Sequence, residues 1–284
     1  MESWAVILLK GVLFMDTVLI KLNDIEVLYR CSDERSGVNH CHDCYEIMYV
    51  ISGAGKYIVE GSEFSLNKRS LVLVRPLAYH KACSVGEASY EACVLRFSKD
   101  ALSGSALSML ERLINEDENG RYFSPNAVSD SLISAFDRFE SASRLPLPEK
   151  NAYSEALLSE IIILLSAAAG EKMTFADDEL GARVIRYLNS NIEKNLSLDK
   201  LAKRFFVSKY HLCRAFKKHS GTSVHSYINH KRIMYAKQLI DAGQTAQSVA
   251  YKVGFGDYSA FYRAYVKIVG KSPRAEQKGG EINE

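Results

Sequence analysis

The chain has 284 residues, 47% of them hydrophobic and 25% charged, with a formal net charge of +2. That length allows two domains with separate cores, and the composition is that of an ordinary globular protein. The near-neutral total hides a division. Residues 1–176 hold 17 Lys and Arg against 24 Asp and Glu, a net of −7, while residues 177–284 hold 19 against 10, a net of +9. An acidic half joined to a basic half implies two tasks, and the basic half suits a polyanionic partner.

The six cysteines are irregularly spaced and follow no credible secretion signal. They read as reduced cytosolic thiols rather than a disulfide framework. The opening MESWAVILLKGVLF is apolar but shorter than the roughly 20 residues a membrane span needs, and it lacks the basic and small-residue flanks of a signal peptide. Met15 is the expected translation start, and the chain is expected to be cytoplasmic with no membrane partner.

Residues 16–100 are β-rich. The runs DTVLIKL, IEVLYR, YEIMYVISG, GKYIVEG, SLVLVRP and YEACVLRF are short, β-branched or aromatic, and punctuated by Gly, Asn, Ser and Asp. They predict an antiparallel barrel or double-sheet roll. GAGKYIVEGSEFSL reads as a hairpin entered through Gly53 and Gly55, with Gly61 turning into the next strand. From Asp100 the apolar period changes from 2 to 3.6. Helices are expected over 101–115, 127–142 and 149–170, with breaks at Pro125, Pro146 and Pro148. The last is apolar all round at IIILL, which marks a buried helix, in the core or against a second subunit. The polar stretch 171–182 reads as the linker.

From about residue 183 to 277 the chain is helical. ARVIRYLNSNIEKN carries Val184, Ile185, Leu188 and Ile192 on one face. SLDKLAKRF opens at the N-cap Ser197, SKYHLCRAFKKHSG opens at Ser208 and ends at Gly221, and SVHSYINHKRIMYAKQLIDAG ends at Gly243. Two further helical stretches, TAQSVAYKVG and DYSAFYRAYVKIVG, precede a short SPRAEQ.

This region repeats itself. LAKRFFVSKYHLCRAFKK (201–218) aligns with VAYKVGFGDYSAFYRAYVK (249–267), with Gly256 as one extra turn residue. In each copy a small residue on the first helix (Ala202, Ala250) permits close crossing. An apolar turn residue (Val207, Phe255) enters the core, and a polar N-cap (Ser208, Asp257) opens the second helix. An apolar pair four apart (Leu212 and Phe216; Phe261 and Tyr265) pins its inner face. The opposite face carries Lys209, Tyr210, Cys213, Arg214, Lys217 and Lys218 in the first copy, and Tyr258, Ser259, Tyr262, Arg263 and Lys267 in the second. Such polar, aromatic and basic faces suit a major-groove reader. A plain bundle with solvated basic faces would not need the grammar twice. The helix between the copies, about Val224 to Ala242, is about 28 Å long at 1.5 Å per residue. It could therefore present both second helices to successive major grooves, whose repeat is about 34 Å.

GFGDYSAFYRAYVKIVGKSP resembles the signature of AraC/XylS transcription regulators, through Gly254, Phe255, Phe261, Arg263, Gly270, Ser272 and Pro273. Two positions depart from the pattern: Tyr265 replaces Phe, and Val266 replaces a basic residue and removes one phosphate contact. The resemblance implies that Tyr210, Cys213 and Arg214 supply the stronger base contacts. Lys217, Lys218 and Lys267 then hold phosphates. It also implies an α+β chain: a cupin-like effector-binding barrel (16–100), a helical dimerisation segment (101–170, with the dimer helix inside 149–168), a linker, and an all-α domain with two helix-turn-helix motifs. The expected partners are double-stranded promoter DNA, a small-molecule effector and a second copy of the chain, with RNA polymerase as a further candidate; no catalysis is expected.

NHCHDCYEIMYVISG fits the His-x-His…Glu…Gly first motif of metal-dependent cupins through His40, His42, Glu46 and Gly53, and RPLAYH offers His80 as one more ligand. In a strand, His40, His42 and Glu46 share one face and Cys41 takes the other. These four residues are read as the wall of an effector pocket. Two alternatives stand beside that: a His₃Glu metal set suited to Zn²⁺, Fe²⁺ or Mn²⁺, in an enzyme or a sensor, and a structural cluster. Cys41 and Cys44 have C-x₂-C spacing but no second pair, and read as structural. His211, His219, His225 and His230 read as surface or phosphate-proximal residues.

Overall fold

The computed structural model describes residues 17–32, 39–85, 89–114, 119–173 and 179–273. The apolar opening, the Met15 start and most of SPRAEQ lie outside these residues.

The N-terminal half is antiparallel β-structure followed by helices. Strands β1 (Thr17–Lys21), β2 (Ile25–Ser32), β3 (Tyr45–Val59), β4 (Ser62–Asn67), β5 (Leu71–Val74), β6 (His80–Ser84), β7 (Tyr90–Phe97), β8 (Gly120–Phe123) and β9 (Glu171–Met173) form one sheet system. Its order is β1-β2-β7-β3-β5-β8-β9, with β4 and β6 also pairing β3. Strand β3 makes the barrel possible. Its first part pairs with β5 and β7, its second with β4 and β6. The expected turn at Gly53 and Gly55 is instead a bend inside this one strand. Gly53 has φ +79° just beyond the register shift between Val50 and Ser52, and a Cβ there would lie 2.0 Å from the Ser89 carbonyl oxygen. A bend with close backbone approach needs glycine as much as a turn does, so the residue type alone could not separate the two. The expected reversal at Gly61 is present: Glu60 and Gly61, both with positive φ, close a two-residue hairpin between Val59 and Ser62.

Inside the roll, Met48, Val50, Tyr57, Val59, Leu66, Val72, Val74, Tyr90 and Val94 fill the core. The opposite face of β2, β3, β5 and β7 packs under α1 (Gly104–Leu113), α2 (Asp130–Ser143) and α3 (Leu147–Ala167). Pro148 does not break α3 but sits in its first turn, where a missing N–H costs nothing. Ile161, Ile162 and Leu165 of the apolar run are fully buried, while Ile163 is exposed. Two short strands interrupt what reads as helix and linker: β8 pairs β5, and β9 pairs β8, so 171–173 belongs to the sheet.

The C-terminal half comprises α4 (Leu180–Asn189), α5 (Leu198–Arg204), α6 (Lys209–Ser220), α7 (Val224–Asp241), α8 (Ala246–Lys252) and α9 (Tyr258–Val269). The serine and aspartate caps hold: Ser197, Ser208 and Asp257 each accept from the backbone N–H three residues on. Left-handed Gly221 and Gly270 close α6 and α9. No helix among the described residues is long and apolar enough to cross a membrane.

Candidate effector site and nucleic-acid interface

Two helix-turn-helix units, α5–α6 and α8–α9, flank α7. Leu212, Phe216, Phe261 and Tyr265 point inward and are fully buried, as their spacing requires. The outer faces follow. Lys209, Tyr210, Arg214, Lys217 and Lys218 on α6 are exposed, as are Ser259, Tyr262, Arg263 and Lys267 on α9. Cys213 and Tyr258 are half-buried, and Tyr258 packs against Phe261 and Tyr262. Phe206, in the first turn with φ +55°, is 95% exposed.

Sequence reading missed the residue that joins the α4–α5 loop to the second unit. Arg232 on α7 is buried, and its guanidinium donates to the carbonyls of Ile192 (2.9 Å), Gly254 (2.8 Å) and Lys194 (2.6 Å). The planar fork thereby ties the α4–α5 loop to the turn of the second unit. A cation in the middle of a helix otherwise rich in core residues was the available signal.

His40, His42, Glu46 and His80 converge at one end of the barrel, with one ligating atom from each within 4.8 Å of the others. They do so by a different route from strand parity. Residues 39–44 form a loop, not a strand, and β3 begins only at Tyr45. His40 is held by a two-way backbone bridge to His80 at the start of β6, with N···O distances of 2.9 and 2.7 Å. The His42 Nδ1 lies 2.9 Å from the Cys44 carbonyl, and the His80 Nδ1 lies 2.8 Å from the Ala78 carbonyl. Both rings therefore turn Nε2 toward Glu46, at 3.1 Å for His42 and 3.6 Å for His80. Glu46 also accepts from Tyr57 Oη (3.2 Å) and Arg96 Nε (3.0 Å). Burial pushes the Glu46 carboxyl pKa up, but the facing His42 and His80 rings outweigh that and hold it well below the usual range. Tyr57 and Arg96 were not anticipated, although an arginine in the apolar strand YEACVLRF was a visible sign.

Cys41 is turned away from this cluster and packs with Tyr79 against the helical domain. Burial raises the Cys41 and Cys44 thiol pKa values to about 12, which suits structural cysteines.

The two halves of the chain are docked. His230 Nε2 on α7 lies 3.1 Å from the Cys41 carbonyl. Lys237 pairs with Asp43 at 2.7 Å, and Gln238 donates to the Asp43 carbonyl. Asn39 bonds the Ser220 carbonyl. Glu60, in the β3–β4 turn, accepts from the Tyr79 N–H (2.9 Å), Tyr227 Oη (2.6 Å) and Lys231 Nζ (2.6 Å). Beside it, Gly61 leaves room for the His219 ring, which a Cβ would meet at 1.8 Å. His219 and His230, expected at the surface or near phosphate, are thus domain-contact residues.

A β-barrel with a polar cluster at one end, joined to a twofold helix-turn-helix module, defines a DNA-binding regulator with a ligand-binding domain. A family model described as "AraC-like ligand binding domain" matches residues 22–114, and one described as "Helix-turn-helix domain" matches residues 201–279. The chain belongs to the AraC family of transcriptional regulators. The HTH-type transcriptional activator RhaS of Enterobacter sp. (strain 638) is 25% identical over 254 residues, covering 86% of this chain and 88% of that one. RhaS of Salmonella typhimurium is 24% identical over 251 residues, covering 84% and 87%. Among solved structures, ToxT from Vibrio cholerae O395 is similar at 15% identity and a TM-score of 0.40, covering 90% of this chain and 98% of that one.

Proposed function

We propose that this regulator acts as a cytoplasmic homodimer that reads an asymmetric promoter site with α6 and α9 in successive major grooves. An effector at His40, His42, Glu46 and His80 switches it. The observation that carries the DNA reading is the pair of outward basic faces on α6 and α9, set on a spacer helix of 18 residues, or about 27 Å. Tyr210, Cys213 and Arg214 are assigned to base edges of the first element, and Tyr258, Ser259, Tyr262 and Arg263 to the second. Lys209, Lys217, Lys218 and Lys267 are assigned to phosphates, which position the protein without specifying sequence.

Dimerisation is assigned to α3, whose outer face carries Ala152, Ala156, Ile163 and Ala167, all exposed. A second copy would cover that face and bring four helix-turn-helix units to one operator. RNA polymerase is the proposed partner of the DNA-bound dimer. The chain works by binding rather than by catalysis. Anisotropy titration of DNA enriched from a randomised library tests the reading, with Arg214→Ala and Arg263→Ala as comparators. Binding that ignores both substitutions sinks it.

A further inference from the structure

The hydrogen-bond roles at the His/Glu cluster do not balance. If Nδ1 of His42 donates to the Cys44 carbonyl and Nδ1 of His80 donates to the Ala78 carbonyl, each neutral ring presents an Nε2 lone pair. Both lone pairs face the Glu46 carboxylate, which only accepts. His80 Nε2 is buried and has no hydrogen-bond partner. With those tautomers three acceptors meet in a largely buried space, and a cation between them satisfies all three. The three imidazoles are crowded together, the His42 and His40 rings lying 4.9 and 4.6 Å from the His80 ring, so a single ion can bind all of them and the carboxylate.

The surroundings match a metal centre. Ligand atoms of a tetrahedral ion with bonds of about 2.0–2.1 Å stand about 3.3 Å apart, and the four donors here all lie within 4.8 Å of one another. Backbone carbonyls fix two imidazole orientations, and Tyr57 and Arg96 orient the carboxylate from behind. Metal ligands commonly have outer partners of this kind.

The ligands also share a loop with the domain contact. Between and beside His40 and His42, Asn39 bonds Ser220, Cys41 meets His230, and Asp43 holds Lys237 and Gln238. An ion that pulls His40 and His42 toward Glu46 and His80 therefore sets the position of the loop that grips α7, the helix between the two DNA-reading units.

We propose that His40, His42, Glu46 and His80 bind one divalent first-row transition-metal ion, and that this ion is the effector that controls DNA binding through the 39–44 loop. The proposal rests on the sensing role assigned to the N-terminal domain.

Full-length protein is stripped with chelator and titrated calorimetrically with Zn²⁺, and its affinity for library-selected DNA is measured with and without the ion. One Zn²⁺ per chain is expected, lost in His42→Gln and in Glu46→Gln and kept in His225→Ala. DNA affinity is expected to change at least about fivefold on loading, the lower end of typical allosteric coupling, and not to change in His42→Gln. If a variant fails to fold by circular dichroism, the Co²⁺ spectrum of the wild type decides. Nitrogen–oxygen ligation without a thiolate charge-transfer band is expected, and such a band overturns the ligand set. Wild type that takes up no stoichiometric Zn²⁺, Mn²⁺ or Fe²⁺ yet binds DNA overturns the site and leaves the regulator reading intact. An ion bound with no change in DNA affinity overturns its role as effector. Failure to bind DNA in either state overturns the regulator reading, while ion stoichiometry judges the site separately.

Discussion

Lys231→Met tests whether the two domains are held together as the structure shows. Lys231 Nζ lies 2.6 Å from Glu60 Oε1, with side chains 6% and 0% exposed. At an effective dielectric of 20 the attraction is about 6 kcal/mol, which the desolvation of both ions largely offsets. The intact pair therefore contributes little net stability. Removing only the lysine is different, because the buried Glu60 carboxyl loses its counter-ion and keeps only Tyr227 and the Tyr79 N–H as partners. The expected loss is about 3 kcal/mol. Glu60→Gln should cost about 2 kcal/mol, because the amide still accepts from Tyr79 while Lys231 keeps the Leu77 carbonyl. In the double variant no charge is stranded, so it should be more stable than the sum of the single losses implies, by about 2 kcal/mol. The assay is a double-mutant cycle from reversible urea unfolding of the full-length protein. Additivity within about 0.5 kcal/mol would show that the residues do not meet and that the docked arrangement is wrong.

Other outcomes follow from the same structure. Arg232→Ala should lower stability by about 2 kcal/mol by leaving three part-buried carbonyls without their donor, and should abolish high-affinity DNA binding. Arg232→Lys should not rescue it, and full binding by the lysine variant would count against a guanidinium fork. Lys217→Ala and Lys218→Ala should weaken binding uniformly across sequences and each reduce the slope of log affinity against log salt by about 1; unchanged slopes would remove them from the phosphate contacts. At pH 8, maleimide should label half-buried Cys213 on α6 and block DNA binding, with bound DNA protecting it. Cys93, whose thiol burial raises to about 12, should stay unlabelled. Labelling of Cys213 that DNA does not slow would place α6 away from the groove.

The helical half was legible because its signals are local. N-caps, terminal glycines and the inward pair in each repeat act within one or two turns, so Ser208, Gly221, Leu212 and Phe216 take their expected places. The bend of β3 at Gly53 depends on which strands pair on either side, and short-range pattern does not record that. The four members of the His/Glu cluster were visible by residue type and spacing. Their convergence, however, depends on the backbone bridge between His40 and His80, forty residues apart, rather than on strand parity. The partners of Glu60, Lys231 and Arg232 were not legible for the same reason: each acts through a group brought near only by tertiary packing. A buried ion pair between Glu60 and Lys231 spans 171 positions.

The most direct measurement is the salt-dependent affinity of full-length protein for its library-selected DNA, compared with Arg214→Ala/Arg263→Ala. The predicted result is an enriched site with two elements about one helical turn, or about 34 Å, apart. Log affinity should fall linearly with log salt, and the double variant should lose at least about 2 kcal/mol, from a range of about 1–3 per bidentate base contact. No enriched motif, or an affinity that ignores both salt and the two arginines, would contradict recognition through α6 and α9.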